Sequence, residues 1–266
     1  MKPVPEIMEY TRLHADISRG VADGSLPELT TRTLTRVAEG GGEPRAVRHP
    51  LGFVCFPVLR DGDIGICVHL WTAGSADAVD ATDDTDARRS PAFVHCHSWD
   101  LLSFVLYGTL HNQLARVIDR PAVPTHRMLE IRTGGLVDEV RATRRLVSWE
   151  RSTARLVPAG TAYSLVAGQF HTVDVPPAQG AATVVLSRTR STVPELARGE
   201  IGAVDRRIQR QQCSASETAR LADIVVRRLE DHRVQRLEAP HVSQPVDLQP
   251  VDPRGLSSGL PVAGSR

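Results

Sequence analysis

From about residue 50 to residue 190 the chain consists of short apolar-rich runs, each closed by Gly, Pro or an Asp-Gly turn. That punctuation admits few folds. Val, Ile, Leu and aromatic runs of this length, bounded by turn residues, predict strands rather than helices. Strands are expected over 53–59, 64–71, 92–98, 101–107, 110–118, 128–132, 139–149, 152–157, 161–166, 170–175 and 182–188. Pro57 marks an edge or a bulge, because proline cannot donate to a sheet ladder. Asp61-Gly62-Asp63 is a hairpin turn. About ten short antiparallel strands must close into a sandwich or a barrel to protect their edges. The expected fold class is therefore mainly β, a sandwich or barrel with N-terminal helices and a C-terminal helix.

The flanks read differently. Ile7, Tyr10, Leu13 and Ile17 follow helical spacing, Gly20 and Gly24 interrupt it, and Leu29 to Ala38 supports a second helix before Gly40-Gly41-Gly42. Residues 214–235 predict a helix with Ser216 as its cap and an apolar face of Leu221, Ile224, Val225 and Leu229. The sequence thus divides into an N-terminal helical segment packed on the barrel (1–48), the barrel (49–195), a C-terminal helical segment (196–238) and a Pro-, Ser- and Gly-rich tail expected to be disordered (239–266). Residues 76–89 read as an acidic loop.

A hydrophobic content of 41% across 266 residues is enough for a buried core. The net charge of +1 gives no electrostatic footprint for nucleic acid or for an anionic membrane. No apolar run has the length of a membrane span, and the first residues carry no signal-peptide core, so a cytoplasmic location is expected. The four cysteines, Cys55, Cys67, Cys96 and Cys213, match neither a zinc spacing nor a disulfide framework, and read as reduced core thiols.

Two histidine stations carry the chemistry. The first is His95-Cys96-His97-Ser98-Trp99-Asp100, running on to Gly108. The second runs from Gly160 through Tyr163 and Gly168 to His171. Residues two apart on a strand share a face, so His95 and His97 can aim two imidazoles at one point while Cys96 faces away. A third histidine, placed by the turn at Gly168, would complete one face of a metal site and leave the other positions open.

These stations resemble the two motifs of the cupin superfamily. The first motif is Gly, five residues, His-x-His, three or four residues, Glu, six residues, Gly; His95, His97 and Gly108 fit it. The second is Gly, five residues, Pro-x-Gly-x-x-His, three residues, Asn; Gly160, Gly168 and His171 fit it. The chain departs from the pattern at four positions, with Arg89 at the leading Gly, Leu101 at the Glu, Val166 at the Pro and Val175 at the Asn. Leu101 cannot bind a metal, although Asp100 lies one residue away. The layout is closest to the three-His, cysteine dioxygenase-like branch. That resemblance implies a double-stranded β-helix (jelly-roll) barrel, metal ligands His95, His97 and His171, Fe(II), and dioxygen. Imidazole alone is equally compatible with Zn, Ni or Cu, and Mn remains a further candidate.

Other residues enter as candidates. Tyr163 could donate a hydrogen bond or a proton beside the centre, or simply pack its ring. His69 could face the cavity as acid, base or substrate contact, or be a structural histidine, and His111 reads in the same way. Tyr107 shares the parity of Leu101 and Ser103 and is expected to face inward, most simply as a packing residue. Asp100 could orient a ligand histidine or stabilise its turn. Trp71 and Trp99 could floor the pocket. One of Arg116, Arg155 and Arg188 could face inward and bind a carboxylate.

The expected activity is a metal-dependent cupin oxygenase acting with dioxygen on a small polar substrate, such as an amino acid, a thiol or a biosynthetic intermediate. One alternative is a cupin isomerase or lyase that uses the metal as a Lewis acid. A further alternative is a non-catalytic ligand-binding barrel. Pairing of two barrels in a homodimer is expected from the resemblance.

Overall fold

The computed structural model describes residues 6–22, 25–40, 45–72, 93–119, 121–176 and 179–238. The acidic segment 76–89 and the tail 239–266 lie outside the described residues. Among the described residues the chain is mainly β: two antiparallel sheets form a jelly-roll barrel, flanked by three helices.

The strands are β1 (Val47–Arg48), β2 (Val54–Asp61), β3 (Ile64–Trp71), β4 (His95–Cys96), β5 (Trp99–Tyr107), β6 (Thr109–Asp119) and β7 (His126–Gly134), followed by β8 (Val137–Pro158), β9 (Ala162–Leu165), β10 (His171–Asp174), β11 (Ala181–Thr189), β12 (Glu195–Gly199), β13 (Arg206–Gln209) and β14 (Gln211–Gln212). One sheet runs β14-β1-β2-β3-β11-β5-β9. The other runs β13-β8-β6-β10-β4-β12-β7, and β7 pairs again with β8. The 22-residue β8 stands where two strands were expected. Val147 pairs with His126 of β7 and also with Asp119 of β6, so the strand passes from one partner to the other without a break. At Pro57 the β2–β3 register does shift, as a ladder missing one donor requires.

The helices are α1 (Glu6–Ala22), α2 (Ser25–Ala38) and α3 (Ala215–Glu238). They cover the outer face of the first sheet. Ile17, Leu26, Leu34, Leu221, Val225 and Leu229 pack against Val54, Phe56, Val68, Leu70, Phe104, Leu106, Val184 and Leu186. Burying a side chain such as Leu34 contributes about 1.5–3 kcal/mol. The second helix starts four residues before the expected Leu29, with Pro27 in its first turn, where proline is tolerated. Ser214, not Ser216, caps α3: its Oγ accepts the Glu217 N–H at 3.1 Å. The segment 196–238 is not helical throughout, because β13, β14 and most of β12 precede the helix. These short, polar strands gain their order from partners, as in the pairing of Arg206–Gln209 with Val137–Val140.

Tyr107 corrects the expected parity. Val105 pairs with Thr183 but Tyr107 pairs with Ala182, so β5 carries one extra residue there. The bulge turns Tyr107 to the outer face, into the core beneath the helices. Gly108 follows with φ +79°, and a Cβ there would lie 2.3 Å from the Gly180 carbonyl oxygen, so the turn into β6 requires glycine.

Candidate metal centre

His95 lies on β4, which is held between β10 and β12; its register partners are His171 and Ala197. His97 follows just past the end of that strand, on the same face. The thiol of Cys96 faces the other way, toward the Pro194 carbonyl at 3.9 Å. His171 is delivered by the turn Val166–Gln169, closed by Gln169 N–H to Val166 O at 3.1 Å with Gly168 at φ +82°. Two bonds fix this turn to the first station. Gly168 N–H donates to the His97 carbonyl at 2.9 Å, and Ala167 N–H donates to Asp100 Oδ1 at 2.9 Å.

The structure brings the three histidines together. Their ligand nitrogens all lie within 4.8 Å of one another. The ring centroids are 4.7 Å apart for His95–His97, 4.6 Å for His95–His171 and 5.2 Å for His97–His171. His95 Nδ1 donates to the Phe93 carbonyl at 3.0 Å, and His171 Nδ1 donates to Asn112 Oδ1 at 3.0 Å. Each bond places the proton on Nδ1 and leaves the Nε2 lone pair for another partner. Trp99 stacks on the His97 ring at 3.9 Å and sets its plane.

This donor set fits a divalent metal. His97 Nε2 and His171 Nε2 are 3.1 Å apart. Two nitrogens about 2.1 Å from one ion are separated by about 3.0 Å at a right angle and about 3.4 Å in a tetrahedron. His97 Nδ1 is buried without a hydrogen-bond partner among the described residues. The facing Nε2 atoms, rather than that Nδ1, are the ones a bound cation would satisfy. Burial holds the pKa of His97 and His171 well below the usual histidine range and lowers that of His95, so all three present neutral imidazoles at neutral pH.

The surroundings are apolar where the resemblance would place a carboxylate. Leu101 is buried with Leu165 and Val185, against Trp99, Leu114, Cys67 and Tyr163. Asp100 does not stand in for the missing glutamate. One of its oxygens holds Ala167, and the other pairs with Arg190 Nη2 at 2.6 Å. Tyr163 packs between this cluster and that of Val105, Leu110, Val157 and Ala181. Burial pushes its phenol up to about 12, partly offset by the facing Ser103 hydroxyl.

His69 lies on β3, outside the three-histidine cluster. Its Nε2 is 3.1 Å from Cys67 Sγ, and its ring packs on Phe53 at 4.3 Å. It is near enough to depress the pKa of His97. His111 is exposed. Trp71 packs on Phe53 and His69. Arg116 pairs with Glu150, Arg188 pairs with Asp63, and Arg155 is exposed. Sequence reasoning missed Asn112, 6% exposed, which fixes the His171 tautomer. It also missed His49, stacked on Phe53 at 4.4 Å. The signal for Asn112 was its parity with Leu110 and Leu114, the inward positions of β6.

No family model matches the chain, and no curated protein matches it significantly. Two solved structures are similar in part. The DMSP lyase DddQ of Ruegeria pomeroyi DSS-3 is 12% identical over 58% of this chain and 50% of its own, with a TM-score of 0.28. The hydroquinone 1,2-dioxygenase PnpCD, in complex with Cd2+ and 4-hydroxybenzonitrile, is 12% identical over 52% of this chain and 69% of its own, with a TM-score of 0.27. The match thus spans half the length of the lyase.

Proposed function

We propose that the chain is a metal-dependent oxygenase of the cupin type. Ferrous iron would be held by His95, His97 and His171, and the substrate would be a small polar molecule. The observation that carries this reading is the convergence of three buried neutral imidazoles, two of them with tautomers set by Phe93 and Asn112. When bound, the iron supplies dioxygen chemistry. The protein's own residues bind, orient and exclude water.

Charge narrows the substrate. Three neutral ligands would leave the charge of a divalent ion uncompensated beside the apolar cluster of Leu101, Leu165 and Val185, which Trp99 joins to His97. Burying an unpaired charge is costly, so this centre favours a substrate that arrives with an anionic group, a carboxylate or a thiolate. Tyr163 keeps its proton throughout the neutral range and is the donor proposed to face the substrate. His69, held by Cys67 at 3.1 Å, stands outside the three-histidine cluster and is not assigned the role of base.

Elemental analysis of protein purified without oxygen tests the reading, beside His97→Ala and His171→Ala. The expected result is near-stoichiometric iron in the parent, lost in both variants, with oxygen uptake on addition of small carboxylates or thiols. Zinc, nickel or manganese in the same pattern, with no oxygen uptake, would replace the oxygenase with a Lewis-acid isomerase or lyase. Protein that takes up no metal after ferrous reconstitution would leave a barrel that only binds ligands.

A further inference from the structure

A second group of ligand atoms converges on the wall of the barrel formed by β2 and β3. Cys55, Cys67 and His69 place two sulfurs and one ring nitrogen within 4.8 Å of one another. All three come from one hairpin. Cys55 is the register partner of His69, and Cys67 shares the face of His69 two residues away. Cys67 pairs with Pro57, two residues along from Cys55, so the two cysteines are diagonal neighbours on that face. Unlike Cys96 and Cys213, each 1% exposed, Cys55 and Cys67 keep some access to solvent.

We propose that Cys55, Cys67 and His69 form a second metal site, a Cys2His face for Zn2+ that is independent of the three-histidine centre. Thiolate and imidazole are zinc's characteristic ligands, and three of them leave the fourth tetrahedral position for water or another ligand. The dimensions suit the ion. A tetrahedral zinc site has sulfur–nitrogen edges of about 3.5 Å and sulfur–sulfur edges of about 3.8 Å. Here Cys67 Sγ and His69 Nε2 stand at 3.1 Å and no pair exceeds 4.8 Å. The charge also closes, since two thiolates neutralise a divalent cation. The His69 ring is already held, by Phe53 at 4.3 Å on its face and by Trp71 at 5.9 Å edge-on, so little is left to order on binding.

Cobalt reports on the site separately from the first centre, because only thiolate ligands give sulfur-to-cobalt charge-transfer absorption in the near ultraviolet. The full-length reduced protein is titrated with Co2+ and then Zn2+, as the parent, as His97→Ala/His171→Ala, and as Cys67→Ser. The expected result is a saturating band at one Co2+ per chain in the parent and the double-histidine variant, bleached by one equivalent of Zn2+ and absent in Cys67→Ser. Persistence of the band in the double-histidine variant keeps this proposal even if the three-histidine centre takes no metal. Iodoacetamide labelling of the parent decides the matter should Cys67→Ser misfold: Zn2+ slows modification of Cys55 and Cys67 at least tenfold and leaves Cys96 and Cys213 unchanged. Absence of the band in the folded, reduced parent, labelling rates unaffected by Zn2+, or a Cys55–Cys67 disulfide that re-forms in the presence of Zn2+ would each overturn it.

Discussion

Asn112→Ala tests whether the three-histidine cluster is a tuned metal centre or a chance meeting of rings. His171 is 2% exposed, and its Nδ1–H has Asn112 Oδ1 as partner at 3.0 Å. Truncation leaves that N–H buried and unsatisfied, at a cost of about 1–3 kcal/mol to the metal-free fold. The larger expected effect is on the metal. Without an acceptor the proton is free to move to Nε2, the atom that should face the ion, and the ring is free to rotate. Loss of such an outer hydrogen bond typically lowers metal affinity about 10- to 100-fold, equivalent to about 1.4–2.7 kcal/mol.

The assay is chelator competition with Fe(II) under argon, read beside urea unfolding of the metal-free protein. Asn112→Asp is the control, because it keeps the acceptor and adds a charge that raises imidazole basicity; its affinity is expected to equal or exceed that of the parent. Nitrogen-15 NMR of the parent should show His171 protonated at Nδ1. Equal affinities for the parent and Asn112→Ala, or equal losses in the Ala and Asp variants, would refute the tautomer argument.

Three further outcomes follow from the packing. Glu195 is partly buried on β12, and desolvation pushes its carboxyl from 4.5 to about 7 despite the nearby Arg210 guanidinium. The folded state therefore holds a proton that the unfolded state has lost between pH 4.5 and about 7, and stability falls as pH rises through that window. Glu195→Gln should be more stable than the parent at pH 8, by up to about 3 kcal/mol, and equal to it at pH 4, as measured by urea unfolding. Gly108→Ala combines a left-handed φ with a Cβ 2.3 Å from the Gly180 oxygen and should cost about 2–5 kcal/mol. Gly135→Ala, at φ +62° with nothing within 4 Å of the new Cβ, should cost only about 1–2 kcal/mol. Asp100→Ala should weaken metal binding by releasing Ala167 and Arg190, whereas Asp100→Asn, which keeps an acceptor for Ala167, should retain most of it; metal titration separates the two.

The sequence made legible those features that depend on one strand at a time. Alternation along β4 placed His95 and His97 together, and Gly168 marked the turn before His171, because period and turn chemistry are local properties. Features that depend on partner choice were not legible. Asn112 meets His171 only because β10 pairs with β6 in the register that sets Val173 opposite Asn112, leaving the two polar side chains on one face as diagonal neighbours. Tyr107 turned outward because of a bulge that the adjoining Gly108, readable only as a turn, does not reveal. β13 and β14 are too short and polar to show a period, and exist because β8 and β1 offer open edges.

Asp100 shows how one residue of register decides coordination chemistry. It adjoins the position where the resemblance expects a carboxylate ligand, but adjacent strand residues face opposite sides, so a side chain one position away from Leu101 cannot reach the face on which Leu101 packs. Its carboxylate reaches instead to Ala167 and Arg190, and holds the turn that leads to His171. The carboxylate thus acts on the geometry of the centre and not on its charge. Under the proposed function, a divalent ion held by three neutral imidazoles would keep its full formal charge, and the neutralising group would come from the substrate.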